Sequence, residues 1–280
     1  MANTDLFTAN AVESRVWIDD HLLQDEGIAV LLNSEEPALP SMRNLTVSVP
    51  GRHGAYDFGA YFEPREFTLN VVFPRQDYDA LKYQIRNFVR RFTDVYGRPK
   101  TFKLRFGDEV DKYYNARLTS DIPTVRAAER GYISMEITAF DPYAYSLVSN
   151  DEITWGSEVI TFEWNYLLGT DGTGGGMTIT RPQTIPVFMN GEALRPVIEI
   201  DGSASSLTVS ANGKSFSLPA FSNTRWLIDG ENYVVKRNGV EDLAALTGDF
   251  IELMNGDNNV VISGSGLNFD LTIKYRDKYM

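Results

Sequence analysis

Residues 49–73 read VPGRHGAYDFGAYFEPREFTLNVVF, a glycine-rich segment that runs into an alternation of apolar and polar residues. In FTLNVVF, at residues 67–73, apolar side chains occupy every second position, which is typical of a β-strand with one buried face. Ahead of this strand lie Gly51, Gly54 and Gly59, which adopt positive φ angles without the steric cost that other residues meet. The stretch therefore predicts a sharp excursion of the backbone, followed by a strand that is anchored in the core of a β domain.

Two further segments of the first half repeat the strand alternation, KTFKLRF at residues 100–106 and GYISMEITAF at residues 131–140. Aromatic and β-branched residues dominate both segments, as they do in strands generally. The inward side chains of the three strands are then Phe67, Leu69, Val71, Phe102, Leu104, Phe106, Ile133, Met135 and Ile137. These strands predict an antiparallel sheet or barrel in this half of the chain.

One helix is predicted between the first two of these strands, at about residues 76–96. Apolar residues recur there at spacings of three and four, which places them on one face of a helix. They are Tyr78, Leu81, Ile85, Phe88, Phe92 and Val95. Asp77 and Asp79 lie in the first turn, where they oppose the positive end of the helix dipole, and Gly97 and Pro99 end the pattern. One helix on a mostly antiparallel sheet makes this half α+β.

The second half contains short apolar alternations separated by Asp-Gly and Asn-Gly dipeptides, which favour turns that need positive φ. Strands at such regular spacing are typical of a β-sandwich or jelly roll. We therefore predict a mainly β fold class, with an N-terminal α+β domain at residues 1–145 and a C-terminal β-sandwich at residues 146–280.

Composition excludes several classes of site. The chain has no cysteine, so disulfides, thiolate zinc sites and iron–sulfur clusters are ruled out. Its two histidines, His21 and His53, are too few for a histidine-rich metal site. The net charge of −12 argues against electrostatic binding of nucleic acid. The sequence contains no apolar run of about 18 residues and begins without an apolar signal segment, so we expect neither membrane insertion nor a secretory signal.

Several motifs suggest chemistry, and each also has a simpler structural interpretation. The glycine-rich residues 167–180 could cradle phosphate, but the Gly-Lys-Ser/Thr that opens a helix is missing, which favours a solvated loop. Asp171 and Asp257 could be calcium ligands or turn residues. The basic FVRRF segment at residues 88–92 suggests nucleic acid, but helix-dipole compensation and solvation also explain it.

Catalytic residues are equally difficult to assign. Asp108, Glu109 and Asp111 are neighbours on one turn, whereas a glycosidase needs two carboxylates facing each other across a cleft, so a hairpin tip is favoured. His53 could be a base or a ligand, but the sequence offers no partner for it. We therefore predict no catalytic residue, no metal, no cofactor and no enzymatic activity, which favours a structural or binding protein.

Three segments of the first half together resemble the distal tail protein (Dit) family of siphophages: GRHGAYDFGAYFEPREFTL, FGDEVDKYYNARL and AFDPYAYS. Their order is similar to that in the ring-forming N-terminal domain of this family. In the second half, PVIEIDGSASSLTVS, the long segment at residues 227–264 and the terminal IKYRDKYM are similar to the family's galectin-like C-terminal β-sandwich. The resemblance extends over nearly the whole chain from about Val16, although residues 152–180 have no clear counterpart.

The resemblance implies a structural virion protein at the phage tail tip, made in the host cytoplasm. It would be a homo-hexameric ring adaptor that joins the tail tube protein to the tail-associated hub (Tal-like) protein and its host-recognition apparatus. Receptor-binding proteins are a further partner that the resemblance allows. DNA would pass through the ring lumen without specific binding, and an acidic protein suits that passage because it does not retain a polyanion.

Candidate contact residues follow from the opening stretch. Obligate interfaces are enriched in aromatic residues and arginine, so we predict inter-subunit contacts at Tyr56, Phe58, Phe62 and Arg65. The alternative function is a carbohydrate-binding module that directs a particle to the host cell wall. Its sugar platform would be Trp226 or Trp164, although the parity that Trp226 shares with Ile228 also predicts a core position for Trp226.

Overall fold

The computed structural model describes residues 15–31, 33–73, 77–122, 124–127, 130–152 and 176–280. The chain divides into two compact units, Met1–Ala144 and Tyr145–Met280. Strands dominate both units, which confirms the predicted mainly β fold class. Within the described ranges, no helix is long and apolar enough to cross a membrane.

The described part of the first unit contains ten strands and one α-helix, α1. The strands are β1 Val16–Ile18, β2 His21–Leu22, β3 Ala29–Val30, β4 Met42–Val47, β5 Tyr56–Phe62, β6 Arg65–Phe73, β7 Phe102–Phe106, β8 Lys112–Leu118, β9 Thr124–Ala127 and β10 Arg130–Ala139. Helix α1 is Tyr78–Val89, and 3₁₀ turns occupy Leu23–Glu26 and Arg90–Phe92. The main sheet has the order β2-β1-β7-β8-β10-β6-β3, with β9 also paired to β10, whereas β4 and β5 form a separate two-stranded sheet.

The three strands predicted from alternation are β6, β7 and β10, and all nine of their predicted inward side chains are buried. Strands β6 and β10 are antiparallel neighbours, and their inward residues lie directly opposite each other. The opposed pairs are Phe67 with Ile137, Leu69 with Met135, and Val71 with Ile133. Burial of one face fixes this register, because a slip of one residue would turn every apolar side chain to solvent.

Helix α1 is shorter than predicted and ends at Val89. The side chain of Asp77 caps its first turn by accepting a hydrogen bond of 2.9 Å from the Ala80 amide. The middle of the predicted apolar face is confirmed, since Leu81, Ile85, Phe88 and Phe92 are buried. Both ends of the predicted face were wrong, because Tyr78 and Val95 are exposed. Val95 lies beyond the helix, so the 3.6-residue period no longer sets its direction.

A lack of side chain at Gly131 lets α1 approach the sheet closely. A Cβ atom at this position would lie 3.3 Å from the Cδ1 atoms of both Leu81 and Ile85. Aromatic edge contacts continue the packing, with ring centroids 5.5 Å apart for Phe73 and Phe88. Such pairs contribute about 0.5–1.5 kcal/mol beyond the area that they bury. The helix therefore covers one face of the sheet and leaves its N-terminal turn in solvent.

The second unit contains strands β11 to β23. They are β11 Ala144–Ser146, which begins at the unit boundary, β12 Met177–Ile179, β13 Gln183–Met189, β14 Val197–Ala204, β15 Ser206–Ala211, β16 Lys214–Leu218, β17 Phe221–Asp229, β18 Val234–Arg237, β19 Val240–Glu241, β20 Thr247–Gly248, β21 Gly256–Ser265, β22 Asn268–Lys274 and β23 Lys278–Tyr279. Two 3₁₀ turns lie at Asn150–Glu152 and Leu243–Ala245. One sheet has the order β12-β22-β14-β17-β18-β19 and the other has the order β13-β21-β15-β16-β20.

These two sheets share one apolar core, so the predicted β-sandwich is confirmed. Ile198 and Trp226 contribute from the first sheet, and Val209, Phe216 and Ile262 contribute from the second. The Asn-Gly dipeptides form the predicted hairpin turns. At Asn212 and Gly213, between β15 and β16, φ is 49° and 80°, which suits a two-residue turn with positive φ at both positions.

A buried carboxyl group lies near the C-terminus of this unit. The Asp277 carboxylate accepts a 3.1 Å hydrogen bond from the Asn190 amide, and the Asp277 amide donates one of 3.0 Å to the Ser146 hydroxyl. Burial raises the pKa of Asp277 to about 6, although the hydrogen bonds from Asn190 and Tyr279 oppose that rise. The carboxyl group therefore binds its proton more tightly in the folded state than in the unfolded chain.

We expect Asp277→Asn to stabilise the protein at pH 8 and not at pH 4. Because the pKa of Asp277 is higher in the folded state, ionisation costs stability as pH rises from about 4 to about 6. Asparagine keeps an acceptor oxygen for the Asn190 amide and carries no charge. The expected gain in unfolding free energy is about 1–2 kcal/mol at pH 8, measured by urea unfolding at both pH values. Equal gains at both pH values, or the same gain from the exposed Asp201→Asn control, would contradict the explanation.

Candidate assembly surface

Strands β4 and β5 form a hairpin that pairs with no other described strand. We call residues 41–62 the arm. Every residue of the arm is exposed except Leu45, which is half-buried. A two-stranded hairpin without further packing is marginally stable in water. The arm is therefore a segment that gains from burial against another molecule.

The glycines of the opening stretch have the predicted positive φ angles, which are 81° at Gly51, 83° at Gly54 and 96° at Gly59. A Cβ atom at any of the three would meet nothing within 4 Å. Their role is therefore conformational and not the close approach of another segment. Gly59 lies in a bulge, where its amide donates a 2.9 Å hydrogen bond to Asp57 Oδ1.

Apolar residues concentrate on one face of the arm. Val47 lies opposite Tyr56, and Arg43 lies opposite Tyr61. Because positions 43, 45 and 47 point to the same side of β4, these partners share that side. The bulge sets two residues, Phe58 and Gly59, against Leu45, and both residues of such a pair turn toward the side of their shared partner. The face thus formed, which we call the apolar face, consists of Leu45, Val47, Tyr56, Phe58 and Tyr61.

This apolar face is open to solvent. Phe58 and Tyr61 are each 65% exposed, and Tyr56 is 46% exposed. Phe62, on the other side of β5, is also exposed. Contiguous exposed apolar surface of this kind marks binding sites on soluble proteins. The structure therefore places three of the four predicted contact residues, Tyr56, Phe58 and Phe62, on the surface of one protruding element.

The prediction for Arg65 needs correction, because this residue is only 3% exposed. Its Nη1 atom donates hydrogen bonds to the Tyr114 hydroxyl at 3.1 Å and to the Pro37 carbonyl at 3.3 Å. Burial raises the pKa of Tyr114 to about 12, while the nearby guanidinium opposes that rise. Arg65 thus holds the start of β6 within its own unit and presents no surface to a neighbour. Its parity with Phe67 already indicated an inward side chain.

A groove opens at the base of the arm. We call it the foot groove, and its volume is about 480 Å³. Its lining residues are Glu35, Glu36, Pro37, Pro40, Ser41, Pro64, Glu66 and Thr68. Partial burial, together with the charges of Asp108 and Glu109, raises the pKa of Glu36 to about 7, and Arg65 opposes that rise. The groove therefore combines rigid proline walls with an excess of negative charge.

The opposite end of the arm is basic. Residues 48–56 contain Arg52 and His53 and no acidic residue. The Arg52 guanidinium carbon lies 4.0 Å from the centroid of the Tyr56 ring, a cation–π geometry. The ion pairs between described residues do not include Arg52. The tip thus presents a cation that is held by an aromatic ring and lacks a carboxylate partner.

The predicted sugar platform at Trp226 was wrong, because this side chain is fully buried, with 0% exposure. The indole packs in the sandwich core against Phe221, with ring centroids 6.0 Å apart. A sugar ring can stack only on an exposed aromatic face, so Trp226 cannot serve this role in the folded unit. Trp164 lies outside the described residues.

The other sequence candidates do not form a catalytic arrangement. Asp108, Glu109 and Asp111 lie in the turn between β7 and β8, as the hairpin interpretation predicted. Among the described residues, no group of three or more His, Asp and Glu could hold a metal ion. Asp171 and most of the glycine-rich segment lie outside those residues, so the structure does not test them.

Comparisons with known proteins match the N-terminal half at the level of sequence. Residues 22–138 match the family model of the phage tail protein RIFT-related domain. This range includes the whole arm, the foot groove and helix α1. The search of curated proteins gave no match.

Two solved structures illustrate the similarity of fold. The crystal structure of phage SPP1 Dit (gp 19.1), described as a hub adsorption apparatus of phages that infect Gram-positive bacteria, has a TM-score of 0.65 and 15% sequence identity. That alignment covers 95% of this chain and 99% of the SPP1 chain. The phage P2 baseplate in its activated conformation with Ca aligns at a TM-score of 0.45 and 12% identity, over 96% of this chain and 99% of that one. The first of these alignments shows that the fold is shared along nearly the whole chain.

Proposed function

We propose, from the premise that this chain is a structural protein of the siphophage tail with the fold of a distal tail protein, that it forms a hexameric ring adaptor at the tail tip. The domain match and the shared fold confirm the predicted resemblance to the distal tail protein family. The ring, its stoichiometry and its partners are our proposal. The protein would act by assembly and not as an enzyme.

The observation that carries this proposal is the arm. It protrudes from the first unit with an exposed apolar face and no intramolecular cover. A surface of this kind in a virion protein is expected to be buried in the assembled particle. When such an element binds a different surface on the next copy, the contact repeats from copy to copy and closes into a ring. Tyr56, Phe58 and Phe62 are the contacts that we propose in the arm.

The proposed ring would stack on the tail tube protein on one side and on the tail-associated hub protein on the other, with receptor-binding proteins as further partners. DNA would cross its lumen during ejection. A net charge of −12 supports this path, because like charge keeps DNA from adhering to the protein. The protein would be made in the host cytoplasm and become part of the virion.

Negative-stain microscopy and light scattering of the purified protein test the proposal. We expect particles with a central hole and a mass about six times that of the 31.5 kDa chain. Particles without a sixfold repeat would contradict the hexamer. A chain that stays monomeric at high concentration, both alone and with the tail tube and hub proteins of its phage, would contradict the ring itself. Saccharide binding on a glycan array by a chain that forms no ring would favour the carbohydrate-binding alternative.

A further inference from the structure

We propose that the arm of one copy reaches its neighbour so that the arm tip occupies the neighbour's foot groove, with Arg52 among the carboxylates of Glu35, Glu36 and Glu66. This inference rests on the proposed ring, because it names the two surfaces that join adjacent subunits. The contact is head to tail, since the tip and the groove are different surfaces of the same chain. A head-to-tail contact of this kind is the type that generates closed rings.

The two surfaces are complementary in charge. The tip offers Arg52 and His53 without an acidic residue from position 48 to position 56. The groove offers three glutamates, and none of them has a basic partner among the ion pairs between described residues. Complementary charge fixes the register of an interface and suppresses wrong partners. Each surface thus supplies what the other lacks.

The shapes of the two surfaces also agree. Stacking on Tyr56 holds the planar Arg52 guanidinium, so little side-chain freedom remains to be lost on binding. The prolines at positions 37, 40 and 64 give the groove a fixed backbone on both sides of the arm's base. Its volume of about 480 Å³ is sufficient for a guanidinium and the residues that flank it.

The tip cannot occupy the groove of its own chain. Strand β5 runs from Tyr56 to Phe62 between them, and seven residues of strand span roughly 20 Å. That separation exceeds the reach of an arginine side chain, and the ladder with β4 holds the strand extended. The occupant of the groove must therefore come from another molecule. A second copy is the candidate that the same sequence supplies.

Crosslinking tests the contact directly, because the natural chain contains no cysteine. One preparation carries Arg52→Cys, the other carries Glu66→Cys, and the two carry tags of different mass. After mixing and mild oxidation, we expect a mixed disulfide dimer on a non-reducing gel. Its yield should exceed by at least about tenfold that of a control pair in which Lys82→Cys, on the exposed side of α1, replaces Arg52→Cys.

Charge exchange gives a second measurement on the same contact. We expect Arg52→Glu alone and Glu66→Arg alone each to weaken subunit association by about tenfold, and the chain with both changes to recover most of that loss. Association is measured by sedimentation velocity at low salt, with Lys82→Glu as the control for net charge. Recovery in the double variant would be the sign that the two positions meet.

The outcomes separate this inference from the proposed function. Rings that form normally while the Arg52→Cys and Glu66→Cys pair crosslinks only at the control level would overturn the tip-in-groove contact and leave the ring intact. Single charge variants that associate like the natural chain would overturn it as well. A chain that neither forms rings nor crosslinks contradicts both proposals.

Discussion

Replacing Phe58 and Tyr61 by serine is expected to abolish ring formation at micromolar concentration. Both side chains are 65% exposed on the apolar face of the arm, and in the proposed ring both would be buried against a neighbour. Aromatic anchors of an interface typically cost 2 kcal/mol or more each when they are truncated. Two such losses weaken each contact by about a thousandfold. Every contact of a ring carries the same defect, so the closed particle should disappear before the pairwise contact does.

The measurement is the fraction of ring particles in negative stain, together with the mass distribution by light scattering. Tyr83→Ser serves as the matched control, since Tyr83 is 70% exposed on helix α1 and lies outside the proposed contact. The doubly substituted chain should unfold within about 0.5 kcal/mol of the natural chain, because the arm contributes to neither core. Rings that persist in the double variant would show that the arm does not join the subunits.

The strands and the sandwich could be predicted from sequence because burial leaves a period in the sequence. Phe67, Leu69 and Val71 alternate with polar residues since one face of β6 is buried and the other is not. The Asn-Gly turns could be recognised for a related reason, because few residues tolerate positive φ at two successive positions. Both features are local, and each depends on one physical constraint that acts on neighbouring residues.

The arm could be predicted only in part, because it buries neither face. In YDFGAYF, at residues 56–62, aromatic and small residues do not alternate cleanly, and a strand exposed on both sides has no reason to alternate. The glycines indicated an excursion, but its β-hairpin form depends on pairing with β4, which lies nine residues earlier in the chain. Sequence reasoning therefore found the aromatic residues of the site without finding their shape.

The foot groove had no signal in the sequence. Glu35 and Glu36 precede the arm, and Glu66 follows it, so only the fold brings these residues together. Arg65 illustrates the converse. Its position beside the aromatic residues suggested an interface, but its parity with Phe67 placed it inside. Where composition and parity disagree on one residue of a strand, parity decides, because the backbone fixes the direction of the side chain.

Trp226→Ala is expected to unfold the second unit at a denaturant concentration well below that of the natural chain. The indole is fully buried in the sandwich core, and truncation of a buried aromatic to alanine typically costs about 3–5 kcal/mol. Trp226→Phe should cost less than its loss of volume suggests. The buried Nε1 atom has no hydrogen-bond partner among the described residues, and phenylalanine removes that unpaired donor.

Hydrogen exchange followed by mass spectrometry of peptides is the measurement that resolves the effect by region. We expect amides of β14 and β17, which pair across Ile200 and Trp226, to lose protection in Trp226→Ala while β6 and β10 keep theirs. A sugar platform predicts the reverse, which is unchanged protection with loss of saccharide binding. The position of Trp226 favours the first outcome, because a side chain that fills the core contributes its packing energy whether or not a ligand is present. Loss of glycan binding in Trp226→Ala would then report an unfolded unit, and only an exposed aromatic residue could test recognition itself.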